Sequence, residues 1–263
     1  MDRIDQRSLP LDGLYDPYFD TNSANYTSSS ALDGTGVNIY LVDTGCMTNH
    51  REFLPKGRAS IVYSSSPSTL DDANGHGSHT ASLAGGALIG AAKKAQINCL
   101  RVLDSKGSGT YSDILSSLNW LRSNVKHPAV LSMSFGGTYS KSLNDMSLQL
   151  VGDGIHVIVA MGNSGASVCH NDSSGYSPAS VAGSSAVIAV GSIGSNDSFS
   201  SFSNYGPCMT ISAPGEDIIG AWPPADPTSN AVNTYAILSG TSMSTPIVAG
   251  VVAMFIAKYP NSQ

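Results

Sequence analysis

Five short apolar runs constrain the fold of this chain more than any other feature. Residues 37–42, 97–103, 129–133, 157–160 and 186–190 are rich in Val and Ile and do not alternate strictly between apolar and polar positions. A strand that alternates has one wet face; a strand that does not is buried on both, as in parallel sheets. Helical stretches separate the runs. Ile114, Leu118, Leu121 and Val125 form an apolar stripe at helical spacing, with Ser112 as its cap. Residues 143–151 make a second helix, the Ala-, Gly- and Ser-rich residues 76–88 a third, and Pro246 to Lys258 a fourth. Strand and helix in alternation require right-handed crossovers, so the expected class is α/β: a doubly wound, mainly parallel sheet with helices on both faces. The 263 residues contain no internal repeat and no linker. A chain of that length can bury one large core, so residues 1–263 read as a single domain.

Composition excludes several functions. Charged residues are 12% of the chain, hydrophobic ones 41%, and there are 27 glycines, a mix that suits a rigid, loop-rich globule. Net charge is −6 and no basic stripe appears, so nucleic-acid binding has no electrostatic footprint. The longest apolar runs, such as residues 248–257, are too short to span a bilayer, so no membrane partner is expected. No signal peptide opens the chain, since Met1 directly precedes Asp2-Arg3-Ile4-Asp5. The four cysteines fit neither a zinc spacing nor a C-x-x-C motif, and their even number permits two disulfides. Sequons at Asn25, Asn171 and Asn196 matter only in a secreted eukaryotic protein.

Reacting groups in an open α/β sheet gather beyond the carboxyl ends of the strands. Asp43 directly follows the run 37–42, and Asn163 follows residues 158–162. Ser242, in Gly240-Thr241-Ser242-Met243-Ser244-Thr245-Pro246, lies at or just inside a helix N-terminus. Unpaired N–H groups and the helix dipole stabilise negative charge there. A serine in that place caps the helix or, given a base for its proton, acts as a nucleophile. His76, in Asn74-Gly75-His76-Gly77-Ser78-His79, is the candidate base: it titrates near neutrality, and its flanking glycines admit close approach. A histidine base needs an acceptor on its other ring nitrogen, and Asp43 is the candidate. His50, His79, His127, His156 and His170 lack such a setting and read as structural. Asp2, Asp5, Gln6 and Asp12 gather oxygen ligands in a polar, turn-rich segment. They suit either a hard cation such as Ca²⁺ or a solvated acidic loop.

Together, Val42-Asp43-Thr44-Gly45, the His76 segment and the Ser242 segment resemble the three signature motifs of the subtilisin-like serine proteases, in that family's Asp, His, Ser order. Residues 2–12, 49–53, 102–104 with 107–109, and Phe202-Ser203-Asn204-Tyr205-Gly206 are similar to the proteinase K branch, so the resemblance covers nearly the whole chain. It implies a serine endopeptidase acting on protein or peptide substrates through an acyl-enzyme. Ser242 would attack the scissile carbonyl, His76 would carry its proton to the leaving amine, and Asp43 would orient His76. Asn163 would donate its amide to the oxyanion beside the Ser242 N–H. Gly107, Ser108 and Gly109 with Ser134, Phe135 and Gly136 resemble the two edge strands that sandwich an extended peptide. Ala160, Met161 and Gly162 would form part of the pocket for the residue before the cut, narrowed if Met161 points inward.

The resemblance carries further expectations. Asp2, Asp5, Gln6 and Asp12 resemble a calcium loop of the branch, so structural Ca²⁺ is expected and no organic cofactor. Asp71 and Asp72 are candidates for a second ion. Thr210 stands where the branch often carries a calcium-binding carboxylate, so that site is expected to be weak or absent. Cys169 and Cys208 fall where relatives have a disulfide, whereas Cys46 and Cys99 match no counterpart and are expected as buried thiols. Ile247 replaces a usual histidine that has no chemical role. The implied product is a secreted, extracellular, monomeric catalytic domain in its mature form. By the same resemblance the mature domain is expected without a pro-segment before Asp2 and with its C-terminus open to trimming; the chain's own pro-segment would be a partner before maturation. A second reading is a catalytically silent subtilase used for binding; the presence of Asp43, His76, Asn163 and Ser242 weighs against it. An esterase of another α/β family ranks last, because the serine motif is not Gly-x-Ser-x-Gly and the chain order differs.

Overall fold

A computed structural model describes residues 2–4, 9–11, 32–66, 71–226, 229 and 231–260. Seven strands form one sheet, β1 (Asn38–Asp43), β2 (Ala59–Ser64), β3 (Gln96–Arg101), β4 (Ala129–Met133), β6 (His156–Ala160), β8 (Ile188–Ile193) and β9 (Ile211–Pro214). Their order is β2-β3-β1-β4-β6-β8-β9, and every pairing is parallel. The short strands β5 (Gly137–Thr138) and β7 (Tyr176–Ser177) pair antiparallel, as do β10 (Ile218–Ala221) and β11 (Tyr235–Leu238). The helices are α1 (His76–Gly85), α2 (Tyr111–Asn124), α3 (Lys141–Gly152) and α4 (Thr241–Lys258).

Successive residues of the central strands enter opposite cores. Tyr40, Val42, Leu131, Met133, Val157 and Val159 share one cluster with Leu118 and Leu121 of α2 and Leu143 and Leu150 of α3. Ile39, Leu41, Ile97, Val130 and Ile158 share the other with Ala81 and Ala84 of α1 and Ala249 and Ala253 of α4. The sheet is thus covered by helices on both faces, as the non-alternating runs require. The expected run 129–133 coincides with β4, and the other expected strands shift by one to three residues. The edge strands β2 and β9 escaped the sequence reading because half of their residues are polar or small and most are only partly buried. α2 is capped by Thr110, not Ser112: the Thr110 hydroxyl accepts from Asp113 N at 3.1 Å and donates to its carboxylate at 2.7 Å. α4 begins at Thr241, so Pro246 sits inside the helix and not at its start.

Among the described residues α4 is the one helix long and apolar enough to cross a membrane, but 67% of it is buried in the core, which explains its composition. It packs on α1 through Gly250. A β-carbon there would lie 2.5 Å from the Ala84 carbonyl oxygen and 2.7 Å from the Ala91 methyl. Gly250→Ala gains about 1 kcal/mol of helix propensity but drives a methyl into backbone that cannot yield cheaply, a cost at the upper end of the usual overpacking range, about 2–3 kcal/mol. Thermal unfolding of Gly250→Ala is expected at a lower temperature than the parent, by roughly 2–6 °C; an unchanged or raised Tm would show that the helices can separate freely.

Candidate active site

The carboxyl edge of the sheet gathers the expected residues. Asp43 is the last residue of β1 and His76 the first of α1. Asn163 lies three residues beyond the end of β6, and Ser242 is the second residue of α4. Asp43 is buried, and its Oδ1 and Oδ2 stand 2.7 and 3.0 Å from His76 Nδ1. The same carboxylate accepts from Thr44 N at 2.7 Å and Thr80 Oγ1 at 3.2 Å. A carboxylate on Nδ1 places the ring proton there and leaves Nε2 as the free base. Burial works against a charged imidazole, but the charge and hydrogen bond of Asp43, helped by the charge on Asp72, outweigh it and raise the His76 pKa.

Backbone contact fixes this pair. A β-carbon on Gly77 would fall 2.0 Å from the Gly45 carbonyl oxygen, so only glycine lets the start of α1 lie against the turn after β1. Gly77 N donates to Thr44 Oγ1 at 2.9 Å, and that hydroxyl donates to Asp72 at 2.8 Å. Asp72 also accepts from Asn74 N, Gly75 N, Ser78 N and Ser78 Oγ, at 2.7–3.1 Å. Both its oxygens therefore serve the N-terminus of α1, where a buried carboxylate offsets the dipole. Of the two residues named for a second ion, Asp71 is exposed and Asp72 is engaged by the start of the helix. Among the described residues no group of three His, Cys, Asp or Glu side chains could hold a metal. Asp5, Gln6 and Asp12 lie outside the described residues, as does the side chain of Asp2.

Ser242 Oγ donates to the Ser134 carbonyl at 2.9 Å, and no hydrogen bond joins it to His76. Asn163 Oδ1 accepts from both Thr241 N and Thr241 Oγ1 at 2.9 Å, which leaves its Nδ2 unengaged. A β-carbon on Gly240 would lie 3.2 Å from Asn163 Nδ2 and 3.7 Å from Ser242 N. Two N–H donors thus flank one small space beside the serine. The second residue of a helix has no carbonyl one turn back in the helix, so the Ser242 N–H is available.

Two stretches of backbone stand near this edge. Gly107, Ser108 and Gly109 are exposed in the loop before α2. Asp104 shapes that loop by accepting from Ser108 N at 3.0 Å and Lys106 N at 2.8 Å, bonds that hold its own pKa down. Ser134, Phe135 and Gly136 link β4 to β5. Ala160 and Met161 are buried, and Met161 belongs to the apolar cluster that holds the core residues of α2 and α3. Tyr176 does occupy the neighbourhood. β-carbons on Gly136 and Gly162 would meet its ring at 2.2 and 2.8 Å, so the ring is held between the two glycines.

The cysteines correct one expectation. Cys169 and Cys208 form the expected disulfide, but Cys46 and Cys99 are also bonded, with Cα atoms 6.2 Å apart. Cys46 lies just beyond Asp43 and Cys99 in the neighbouring strand β3, so the parallel pairing of β1 with β3 brings them together. Burial of both had suggested thiols; strand order, invisible in the sequence, decides for the bridge. Intact mass after alkylation without reductant is expected to show no adduct, and four adducts after denaturing reduction. Two adducts on the untreated protein would restore the thiol assignment.

Sequence reasoning also missed Thr44, Thr80, Thr241, Asn204 and Tyr176. Thr44, Thr241 and Asn204 stand inside segments singled out above, but nothing in a hydroxyl or amide residue says which backbone it will hold.

A carboxylate on an imidazole, with a serine at a helix N-terminus on the same sheet edge, is the constellation of the serine hydrolases. Comparison with known proteins narrows the class. The Subtilase family profile matches residues 34–263, and the chain belongs to that family. It is 41% identical to the "Extracellular serine proteinase" of Thermus sp. (strain Rt41A) over 265 residues, covering 100% of this chain and 57% of that protein. It is 40% identical to Proteinase R of Parengyodontium album, covering 89% of this chain and 56% of that protein. "Alkaline serine exoprotease A" of Vibrio alginolyticus is 40% identical over 97% of this chain and 42% of that protein. The chain thus spans about half the length of these relatives. Among solved structures, a cold adapted subtilisin-like serine proteinase superposes with a TM-score of 0.81 at 40% identity, over 98% of this chain and 84% of the other.

Proposed function

We propose that this chain is the catalytic domain of a secreted serine endopeptidase that hydrolyses peptide bonds in proteins. The observation that carries the reading is the convergence of Asn163 Nδ2 and Ser242 N on one space beside a serine, with the Asp43–His76 pair on the same edge. Relatives named as serine proteinases or proteases, one of them extracellular, support it, as do two disulfides, which persist in oxidising compartments.

In this mechanism Ser242 Oγ leaves the Ser134 carbonyl by rotation about its Cα–Cβ bond and passes its proton to His76 Nε2 as it attacks the substrate carbonyl. Catalytic hydrogen bonds often form only once substrate is bound. The oxyanion is stabilised by the two N–H donors, and His76 delivers the proton to the departing amine as the acyl-enzyme forms. Water then repeats the sequence and frees Ser242. An extended peptide lies between residues 107–109 and 134–136 by main-chain hydrogen bonds. The backbone of residues 160–162 and the Tyr176 ring bound the space for the side chain before the cut. Asp2, Asp5, Gln6 and Asp12 would be the residues to hold a structural Ca²⁺, which would supply stability and no chemistry to these steps. The Ser242–Ser134 bond is the observation that favours the silent, binding-only reading, and activity decides between the two.

Phenylmethylsulfonyl fluoride is expected to add to Ser242 and abolish casein hydrolysis. Ser242→Ala is expected to be inert, and Gly240→Ala, whose methyl enters the oxyanion space, to lose about 100-fold or more in kcat with KM little changed. Full activity of Ser242→Ala would overturn the proposal.

The His76 pKa gives a second test. The base must be neutral, so activity rises as pH climbs through its folded pKa. That value is raised, and the pair's contribution to stability is correspondingly present at low pH and lost as pH passes the folded pKa. NMR titration of the His76 ring in Ser242→Ala is expected to give a midpoint above the ordinary histidine value of about 6.5. Adding Asp43→Asn leaves burial opposed only by the charge on Asp72 and is expected to lower it; an unchanged midpoint would mean that Asp43 does not govern the base.

A further inference from the structure

We infer that Asn204 is the positioning residue for Asn163. The inference rests on the oxyanion role proposed for Asn163 and extends it. Asn163 lies in the turn 161–166 after β6, and its own side chain is held from one side only, by Thr241. The turn itself is wrapped around Asn204, which is almost wholly buried. Asn204 Nδ2 donates to the Met161 carbonyl at 2.8 Å, and its backbone N–H donates to the Gly162 carbonyl at 2.9 Å. Its Oδ1 accepts from Ser164 N at 2.9 Å and from Ala166 N at 3.1 Å. One residue therefore grips both residues before Asn163 and two of the three after it.

The grip uses the amide's full geometry. Both lone pairs of Oδ1 are taken, and an N–H faces a carbonyl that needs a donor. Among side chains of that size, only the amide supplies an acceptor for two N–H groups and a donor for a carbonyl without first taking up a proton. Gly162 completes the arrangement. Its φ is +92°, and a β-carbon there would stand 2.5 Å from Asn204 Nδ2. The turn can close onto the Asn204 amide only with glycine at that position. An oxyanion donor must sit within a few tenths of an ångström of its place, and a misplacement of 1 Å costs about 100-fold.

The experiment is a double-mutant cycle on kcat and KM, with enzyme concentration set by active-site titration. Asn163→Ala alone is expected to lose about 100- to 1,000-fold in kcat, the loss known for such a donor in subtilisin. Asn204→Ala is expected to lose about 10- to 100-fold in kcat with KM within about twofold. Asn204→Asp, assayed at alkaline pH where its carboxyl is ionised, keeps the two acceptor bonds but sets an oxygen against the Met161 carbonyl, and is expected to lose kcat in the same sense; it serves where Asn204→Ala does not fold. In the Asn163→Ala background either change is expected to alter kcat by less than about threefold, because the group it positions is gone. An equal loss in both backgrounds, or a rise in KM with kcat intact, would make Asn204 a merely structural residue and overturn the inference. If Asn163→Ala leaves kcat unchanged, the oxyanion reading itself has failed, and that variant alone identifies this outcome.

Discussion

The site depends on one backbone contact, the Gly77 α-carbon against the Gly45 carbonyl. No side chain fits between them, and the approach sets the start of α1 on the turn that ends β1. Two buried carboxylates then face that helix start from different directions. Asp43 takes the His76 ring, and Asp72 takes the free N–H groups of the first turn. Thr44 links them, since its hydroxyl receives from Gly77 N and gives to Asp72. A buried charge is costly unless every lone pair finds a donor, and here the donors are plentiful. The helix dipole and the imidazole are both served by anions that the fold has already satisfied.

The same logic repeats at the other end of the sheet edge. α4 presents the Ser242 N–H because the first turn of a helix has no acceptor for its donors within the helix. Thr241 holds Asn163, and Asn204 holds the turn that carries it, so polar side chains and not apolar packing set the geometry there. Apolar packing sets the platform. Helices on both faces lock the strands, and the strands present their carboxyl ends at one rim.

Much of this was legible in the chain. Val- and Ile-rich runs mark the inner strands because burial on both faces demands an unbroken apolar sequence. Asp43, His76, Asn163 and Ser242 stood out because their residue types and settings match a known chemistry. The edge strands β2 and β9 were not legible, since a half-covered strand tolerates Ser, Ala and Pro. The Cys46–Cys99 bridge was not legible either: adjacency of β1 and β3 is a property of strand order, and no local pattern encodes it. Met161 illustrates the period of two. It continues the inward phase of Val157 and Val159 past the end of β6, so it faces the core, and the sequence had left its direction open.

The Cys46–Cys99 bridge closes a span of 53 residues that contains all of α1 and therefore His76. In a chain-entropy account a loop of that size removes about 4 kcal/mol of freedom from the unfolded chain. It also changes what damage means. A single cut in the backbone anywhere inside that span leaves both fragments covalently joined, with the base still tethered beside its carboxylate. Under the proposed proteolytic function, in which copies of the enzyme would meet one another in solution, the bridge would make self-inflicted nicks survivable.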